Sequence, residues 1–357
     1  MNKLLLGSAA IAGLVLASAP AQAQMELTIG GHSKNYIGYV DQDEVAGTDV
    51  NDFDMVRETE LHFNGESTLD SGLTFGFQVE AEVDGGDDAN TIDESYIYMS
   101  GSFGRVNLGS EDGANYLLQV AAPSADSNID GIRQYIQPVN YNALLGAGTT
   151  AATNGQDALV QDYAQDQTGY AEKITYLSPN FSGLQFGASF TPDAGDAQSV
   201  TGVEGFGTDT AGALDDVYEV AARYEGVMSN FGYALGAGYM MGEGDDAWNV
   251  GLDVDTGPFG IGAVYTDAEN LLGSQGVDTE QMVVGVDYTT GPFKFGASYF
   301  NEDGDNNIEV DRYTGGVVYT AGPGLSFRGS VSQIDFDVTG GADVDATSVM
   351  GGVQINF

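Results

Sequence analysis

The sequence predicts an all-β protein, a closed antiparallel transmembrane β-barrel of about sixteen strands with short turns at one end and long loops at the other. Three observations carry that expectation. Apolar residues recur at every second position, as in Phe293, Phe295, Ala297 and Tyr299 with Lys294, Gly296 and Ser298 between them, the period of a two-faced strand. Short turns rich in Gly, Pro, Asn or Ser divide the strands into pairs. The connections at the other end are longer and mostly acidic.

At the N-terminus, Met1, Asn2 and Lys3 precede an apolar run from Leu4 to Ala19, and Ala21, Gln22 and Ala23 follow as a small-residue cleavage pattern. Residues 1–23 are therefore expected to be a secretory signal peptide and residues 24–357 a single barrel domain. A first strand is expected near Glu26 to Val40 and a last near Ala346 to Phe357. Between them, turns near Leu69 to Gly72, Gly101 to Gly104, Pro179 to Gly183, Gly226 to Asn230, Thr256 to Pro258, Thr289 to Pro292 and Ala321 to Gly324 define the hairpins. The opposing loops are Asp41 to Met55, Val83 to Ile92, Glu111 to Glu172, Pro192 to Asp215, Met241 to Asp246, Asp267 to Asp278, Asn301 to Asn307 and Asp335 to Asp345. Such a polarity of short turns and long loops suits an outer-membrane barrel.

Register decides which face meets what. A sixteen-strand lumen is too wide for side chains to fill, so the apolar faces are expected to look outward to lipid. Outward sets include Leu73, Phe75, Phe77 and Val79; Tyr218, Val220, Ala222 and Tyr224; Trp248, Val250, Leu252 and Val254; and Met282, Val284, Val286 and Tyr288. Many of these sets end on an aromatic, as interface girdles require. The repeat Phe259 to Tyr265 covers only about 14 Å of an apolar band ~25 Å tall, so either its strand continues past Tyr265 or that ring lies within the band.

Composition agrees with a strand-rich exported chain. It has 52 Gly, 8 Pro, 19 Tyr, 17 Phe and no Cys, so disulfides contribute nothing. The formal charge of -43, or -44 once Lys3 leaves with the signal, repels nucleic acid and concentrates cations.

Several blocks resemble the general porins of Gram-negative outer membranes. They are Leu61, Phe63, Gly65 and Glu66, then Leu73 to Glu80, Tyr96 to Met99, and Phe103, Gly104, Val106, Leu108 and Gly109; Tyr176 to Gly183 leading into Phe186 and Gly187; and the C-terminal alternation Gly351, Val353, Ile355, Phe357. The resemblance implies a homotrimer of sixteen-stranded barrels in outer-membrane lipid and lipopolysaccharide, each with a water-filled pore for small hydrophilic solutes. It also implies a third loop folded into the lumen, and a barrel-assembly signal in Val353, Ile355 and Phe357. Here the third loop, Glu111 to Glu172, is by far the longest, and an extracellular surface loop is the alternative reading of it.

If the apolar set faces lipid, the residues between face water. That register assigns Lys34, Arg105, Lys173, Arg223, Lys294, Arg312 and Arg328 to the pore wall. Wall acids include Glu60, Glu80, Glu82, Glu219, Asp253 and Asp287, and the third loop carries Glu111, Asp112, Asp126, Asp130, Asp157, Asp162 and Asp166. Opposed charges across a lumen create a transverse field that sorts ions. Arg57 falls on the outward parity near a loop, where it can snorkel to the interface.

No cofactor is expected, but Glu302, Asp303, Gly304, Asp305, Asn306 and Asn307, together with Asp41, Asp43 and Glu44, offer oxygen ligands for low-affinity calcium without the full spacing of a calcium loop. His32 and His62 both fall on the lumen register; far apart in sequence and without a nucleophile motif, they specify neither a metal site nor an enzyme. The function expected is passive diffusion of small hydrophilic solutes with a preference for cations. A substrate-specific channel would need a lumenal aromatic track, of which only Tyr36 and Phe300 stand out. A secreted acidic surface protein folded by calcium and an outer-membrane hydrolase remain as other classes.

Overall fold

The computed structural model describes residues 25–44, 49–83, 92–145, 162–194, 214–242, 245–269, 278–304, 308–338 and 343–357. The expected signal peptide, Asp157 and the tail of the acidic patch at 305–307 lie outside these residues. The strands, in chain order, are β1 (Glu26–Gln42), β2 (Phe53–Thr68), β3 (Thr74–Glu82), β4 (Ile92–Gly101), β5 (Gly104–Ser110), β6 (Glu172–Leu177), β7 (Leu184–Asp193) and β8 (Asp215–Met228). They continue as β9 (Phe231–Met241), β10 (Asp246–Thr256), β11 (Phe259–Glu269), β12 (Thr279–Thr290), β13 (Phe293–Gly304), β14 (Ile308–Gly322), β15 (Leu325–Val338) and β16 (Val344–Asn356).

Every strand pairs with its chain neighbours, and β1 closes the ring on β16. At that seam Lys34 faces Gln354, and Gly31 exchanges backbone hydrogen bonds of 3.0 and 3.1 Å with Phe357. All of the expected short turns are present between paired strands. Two of them read Thr-Gly-Pro-Phe, with Gly257 at φ 58° and Gly291 at φ 53° in the first central position. Proline holds the second central residue at negative φ, which fixes the turn as the type whose twist matches a hairpin.

The outward register is as expected. Trp248, Val250 and Leu252 on β10 and Met282, Val284, Val286 and Tyr288 on β12 are exposed. Outward aromatics pair in two belts along β7 to β14. Toward the loops, Phe190 packs on Tyr218 at 4.8 Å, Trp248 on Tyr265 at 5.3 Å and Tyr299 on Tyr313 at 5.0 Å. Toward the turns, Tyr224 packs on Tyr233, Phe259 on Tyr288 at 4.9 Å and Phe293 on Tyr319 at 4.9 Å. The repeated segment therefore sets one ring at each end, and β11 continues past Tyr265 to Glu269, long enough for about 23 Å at ~45° tilt.

The interior departs from simple alternation. Val264, Val283, Phe300, Val310, Ile334, Phe336 and Met350 all point inward and are buried. They are covered by the third loop, whose described parts contain α1 (Ala114–Leu117), α2 (Ser127–Asp130) and α3 (Tyr141–Leu145). Tyr141 and Leu144 pack on Val310, Ile334 and Phe336; Tyr163 packs with Val264, Val283 and Phe300; Ile129 and Ile136 pack with Tyr36 and Met350. A strand covered on both faces loses its period-two signature there, because both parities are apolar.

Candidate functional site

The third loop is seated on a track of glycines. Gly236 and Gly251 face each other across β9 and β10, as do Gly262 and Gly285 across β11 and β12. A Cβ at Gly236 would come within 2.7 Å of Val120, one at Gly285 would overlap the Pro123 carbonyl, and one at Gly296 would reach within 2.5 Å of the Ala125 nitrogen. The missing side chains let residues 118–125 lie against the wall as close as a neighbouring strand's side chains would otherwise stand.

Polar anchors hold the loop along this seat. Tyr36 donates to Asp126 at 2.8 Å, Arg328 donates to the same carboxylate at 2.7 Å, and Asp126 caps α2 through the Asn128 N–H. The Asn128 amide donates to Tyr36 at 2.8 Å and to Gln354 at 3.0 Å. Ser298 donates to Asp130 at 2.7 Å, Arg223 to the Gln119 carbonyl at 2.7 Å, and Lys173 to the carbonyls of Glu111 and Gly169. Asn107 donates to Glu111, and Arg133 bridges Asp112 at 3.0 Å and Asp166 at 2.6 Å.

Burial pushes Glu111 up to about 7, Asp112 and Asp130 up to about 6, and Asp162 up to about 7, with repulsion from Asp166 adding to the last. Burial opposes the charge of Arg133, yet Asp112 and Asp166 outweigh it and hold the guanidinium firmly protonated.

The inner faces of β1 to β4 form a different surface. Glu58 accepts from His32 at 2.9 Å and pairs with Lys34 at 2.7 Å, while Glu60 lies 2.6 Å from His62. Glu82 stands opposite Glu60, and Glu94 opposite Glu80. The loop reaches this surface through Tyr135, whose ring lies 3.2 Å from the Lys34 ammonium and 6.0 Å from His32. Arg105 lies 4.0 Å over the Tyr98 ring and donates to Asn107 at 2.7 Å.

Lys294 pairs with Asp287 at 3.4 Å, and Arg312 is buried over Phe300 at 4.8 Å. Glu219 accepts from the Asn115 N–H at 3.0 Å. Of the terminal residues, Val353 faces Asn35 and Phe327, and Ile355 faces Ser33 and Leu325. Asp43 and Asp345 bond through their backbones at the loop end, and Arg57 is exposed on the outer face opposite Asn35.

Sequence reasoning overlooked Glu58, Glu94, Arg133, Tyr135, Tyr96 and Tyr98. Tyr96 and Tyr98 correct the expectation of few lumenal aromatics: both face inward, while Ile97 and Met99 face out. With large apolar bodies on both parities, this stretch of β4 has no alternation to read. Glu58 follows from the parity of Glu60, a signal that was present.

A closed sixteen-strand antiparallel barrel with aromatic rings outside and its longest loop folded onto the inner wall is a transmembrane barrel of the porin type. The chain matches the family described as Gram-negative porin over residues 7–339 and belongs to it, which gives it a place in the outer membrane. Among solved structures, an anion-selective porin from Comamonas acidovorans superposes with a TM-score of 0.64 at 16% identity, covering 94% of this chain and 100% of that one. A mutant porin of Rh. blastica gives a TM-score of 0.60 at 19% identity, covering 93% and 100%. An uncharacterized protein of Rickettsia conorii is 28% identical over 105 residues, 28% of this chain and 24% of its own. One of Rickettsia typhi is 26% identical over 168 residues, 44% and 38%. The chain's match thus spans about a quarter to two fifths of these curated relatives.

Proposed function

We propose that the protein is a water-filled channel for passive diffusion of small hydrophilic solutes and ions, with a preference for cations, and that catalysis forms no part of its work. The carrying observation is the set of inward carboxylates Glu58, Glu60, Glu80, Glu82 and Glu94 on β2 to β4, beside the loop tip at Tyr135. Three basic wall residues, Arg328, Arg223 and Lys173, are engaged by the loop, and within the carboxylate set Lys34 offsets only Glu58. A passage whose net charge is negative raises the local cation concentration. The Comamonas porin is anion-selective on a similar fold, so the preference proposed here rests on this chain's own side chains.

Planar-bilayer recording tests this reading. Discrete conductance steps and a reversal potential of cationic sign in a potassium chloride gradient are expected. An absence of steps overturns the channel, and an anionic reversal potential overturns the preference.

Assembly as a homotrimer is part of the proposal. On the outer face of β1 and β2, Ser33 and Thr59 hydrogen-bond at 2.9 Å next to Asn35 and Arg57, a polar strip that lipid disfavours and a protein neighbour accommodates. An unheated detergent gel should give a band of trimer mass that collapses on boiling. Low-affinity calcium bridging lipopolysaccharide to Asp41, Asp43 and Glu44 is the accompanying reading of the acidic loops, and calorimetry without heat at millimolar calcium removes it.

A further inference from the structure

His32 and His62, thirty positions apart in the chain, meet on the inner wall because β1 and β2 pair with His32 opposite Glu60. Their ring centroids are 5.9 Å apart and edge-on. Donor atoms of His32, Glu60 and His62 all lie within 4.8 Å of one another. From the Glu60 carboxylate the His32 Nε2 stands at 3.7 Å and the His62 Nε2 at 2.6 Å. Tetrahedral zinc, with bonds of ~2.0–2.2 Å, holds its donors about 3.4 Å apart, so changes of at most about 1.4 Å close the set. We propose that His32, Glu60 and His62 form a binding site for a divalent transition-metal ion of the zinc class in the wall of the pore.

Two further features fit a metal site better than a random cluster of polar groups. The second ring nitrogen of His62, Nδ1, lies 3.6 Å from Glu80, a carboxylate placed where a small shift would let it orient a metal-bound imidazole. Glu58 accepts from this same His32 Nε2 at 2.9 Å and is held by the Lys34 ammonium at 2.7 Å, so it stands ready to take the proton that the nitrogen must release on binding a metal. Two imidazoles with one carboxylate favour zinc, nickel or copper over magnesium and calcium, which take all-oxygen sets. This site is chemically distinct from the all-oxygen loop patches. Since Tyr135 of the third loop touches His32 at 6.0 Å, an ion bound here adds positive charge where the loop narrows the passage. That consequence, though not the binding itself, rests on the channel reading.

The test is calorimetric titration of the detergent-solubilised protein with zinc chloride in millimolar magnesium, which saturates hard oxygen sites, followed by the visible spectrum with cobalt. The expected result is one saturable site per chain at micromolar zinc and an intense cobalt band of low-coordinate geometry. His62→Asn should abolish both, and Glu80→Gln should weaken zinc about 10- to 100-fold. If His62→Asn does not yield a barrel, His32→Asn or Glu60→Gln reads the same site. Absence of saturable heat in the wild type, or equal titrations for wild type and a folded ligand variant, overturns the proposal. In bilayers the same zinc should lower cation conductance. A barrel that binds zinc without conducting sinks the channel and leaves the site standing; one that conducts without saturable zinc does the reverse.

Discussion

The inner faces of β9 to β13 and of β1 to β4 are built on the same alternation yet do opposite things. Along β9 to β13 the inward positions at mid-height are glycines, and the loop backbone presses into the space they leave. Along β1 to β4 the inward positions are Lys34, Glu58, Glu60, His62 and Glu80, whose charges answer one another across neighbouring strands. One wall is a seat and the other a lining. The size of the inward residue, with parity unchanged, decides which.

The largest break in this contrast should come from removing a pin of the seat. Asp126→Ala leaves the Arg328 guanidinium and the Tyr36 hydroxyl without their shared acceptor. Losing one partner of a buried pair costs about 3–5 kcal/mol, so loop seating should fail, read as faster proteolysis of the loop and a larger single-channel conductance. Next in size is Gly285→Ala, whose methyl group meets the Pro123 carbonyl. Overpacking of about 1–3 kcal/mol should loosen the loop while the barrel remains heat-modifiable on gels; unchanged protection of the loop would refute the glycine seat.

On the lining, Glu58→Gln with Glu80→Gln should leave loop protection intact and move the reversal potential toward zero. A loosened loop in that variant would erase the distinction between the walls. The last lever is pH. The seated loop holds Glu111, Asp112, Asp130 and Asp162 above their ordinary values of 3.8–4.5, so the seated state binds more protons than the released one. Its extra stability is complete below those ordinary values and is lost as pH rises to about 6–7. Hydrogen exchange at the Ile129 and Ile136 amides, corrected for its intrinsic rate, should be slower at pH 5 than at pH 8.

The barrel was legible because its rules are local. Turn residues such as Gly257 and Pro258 mark hairpin ends, and outward sets such as Met282 to Tyr288 keep strict parity. The seat was harder to read, since its apolar inward residues hide inside doubled runs such as Met282, Val283, Val284 and Tyr299, Phe300. Those doublings are the trace of a second covered face. The meeting of His32 with His62 was not legible, because it depends on the β1–β2 register and not on spacing along the chain.

Asp126 and Asn128 take their partners from both ends of the chain: Tyr36 belongs to β1, Arg328 to β15 and Gln354 to β16. In an open sheet, before β1 meets β16, those partners sit at opposite edges, so the glycine seat on β9 to β13 can receive the loop but this clasp cannot form. Completion of the clasp therefore reports that the circle has closed, and the contacts that pin the loop tip also fasten the join between the beginning of the barrel and its end.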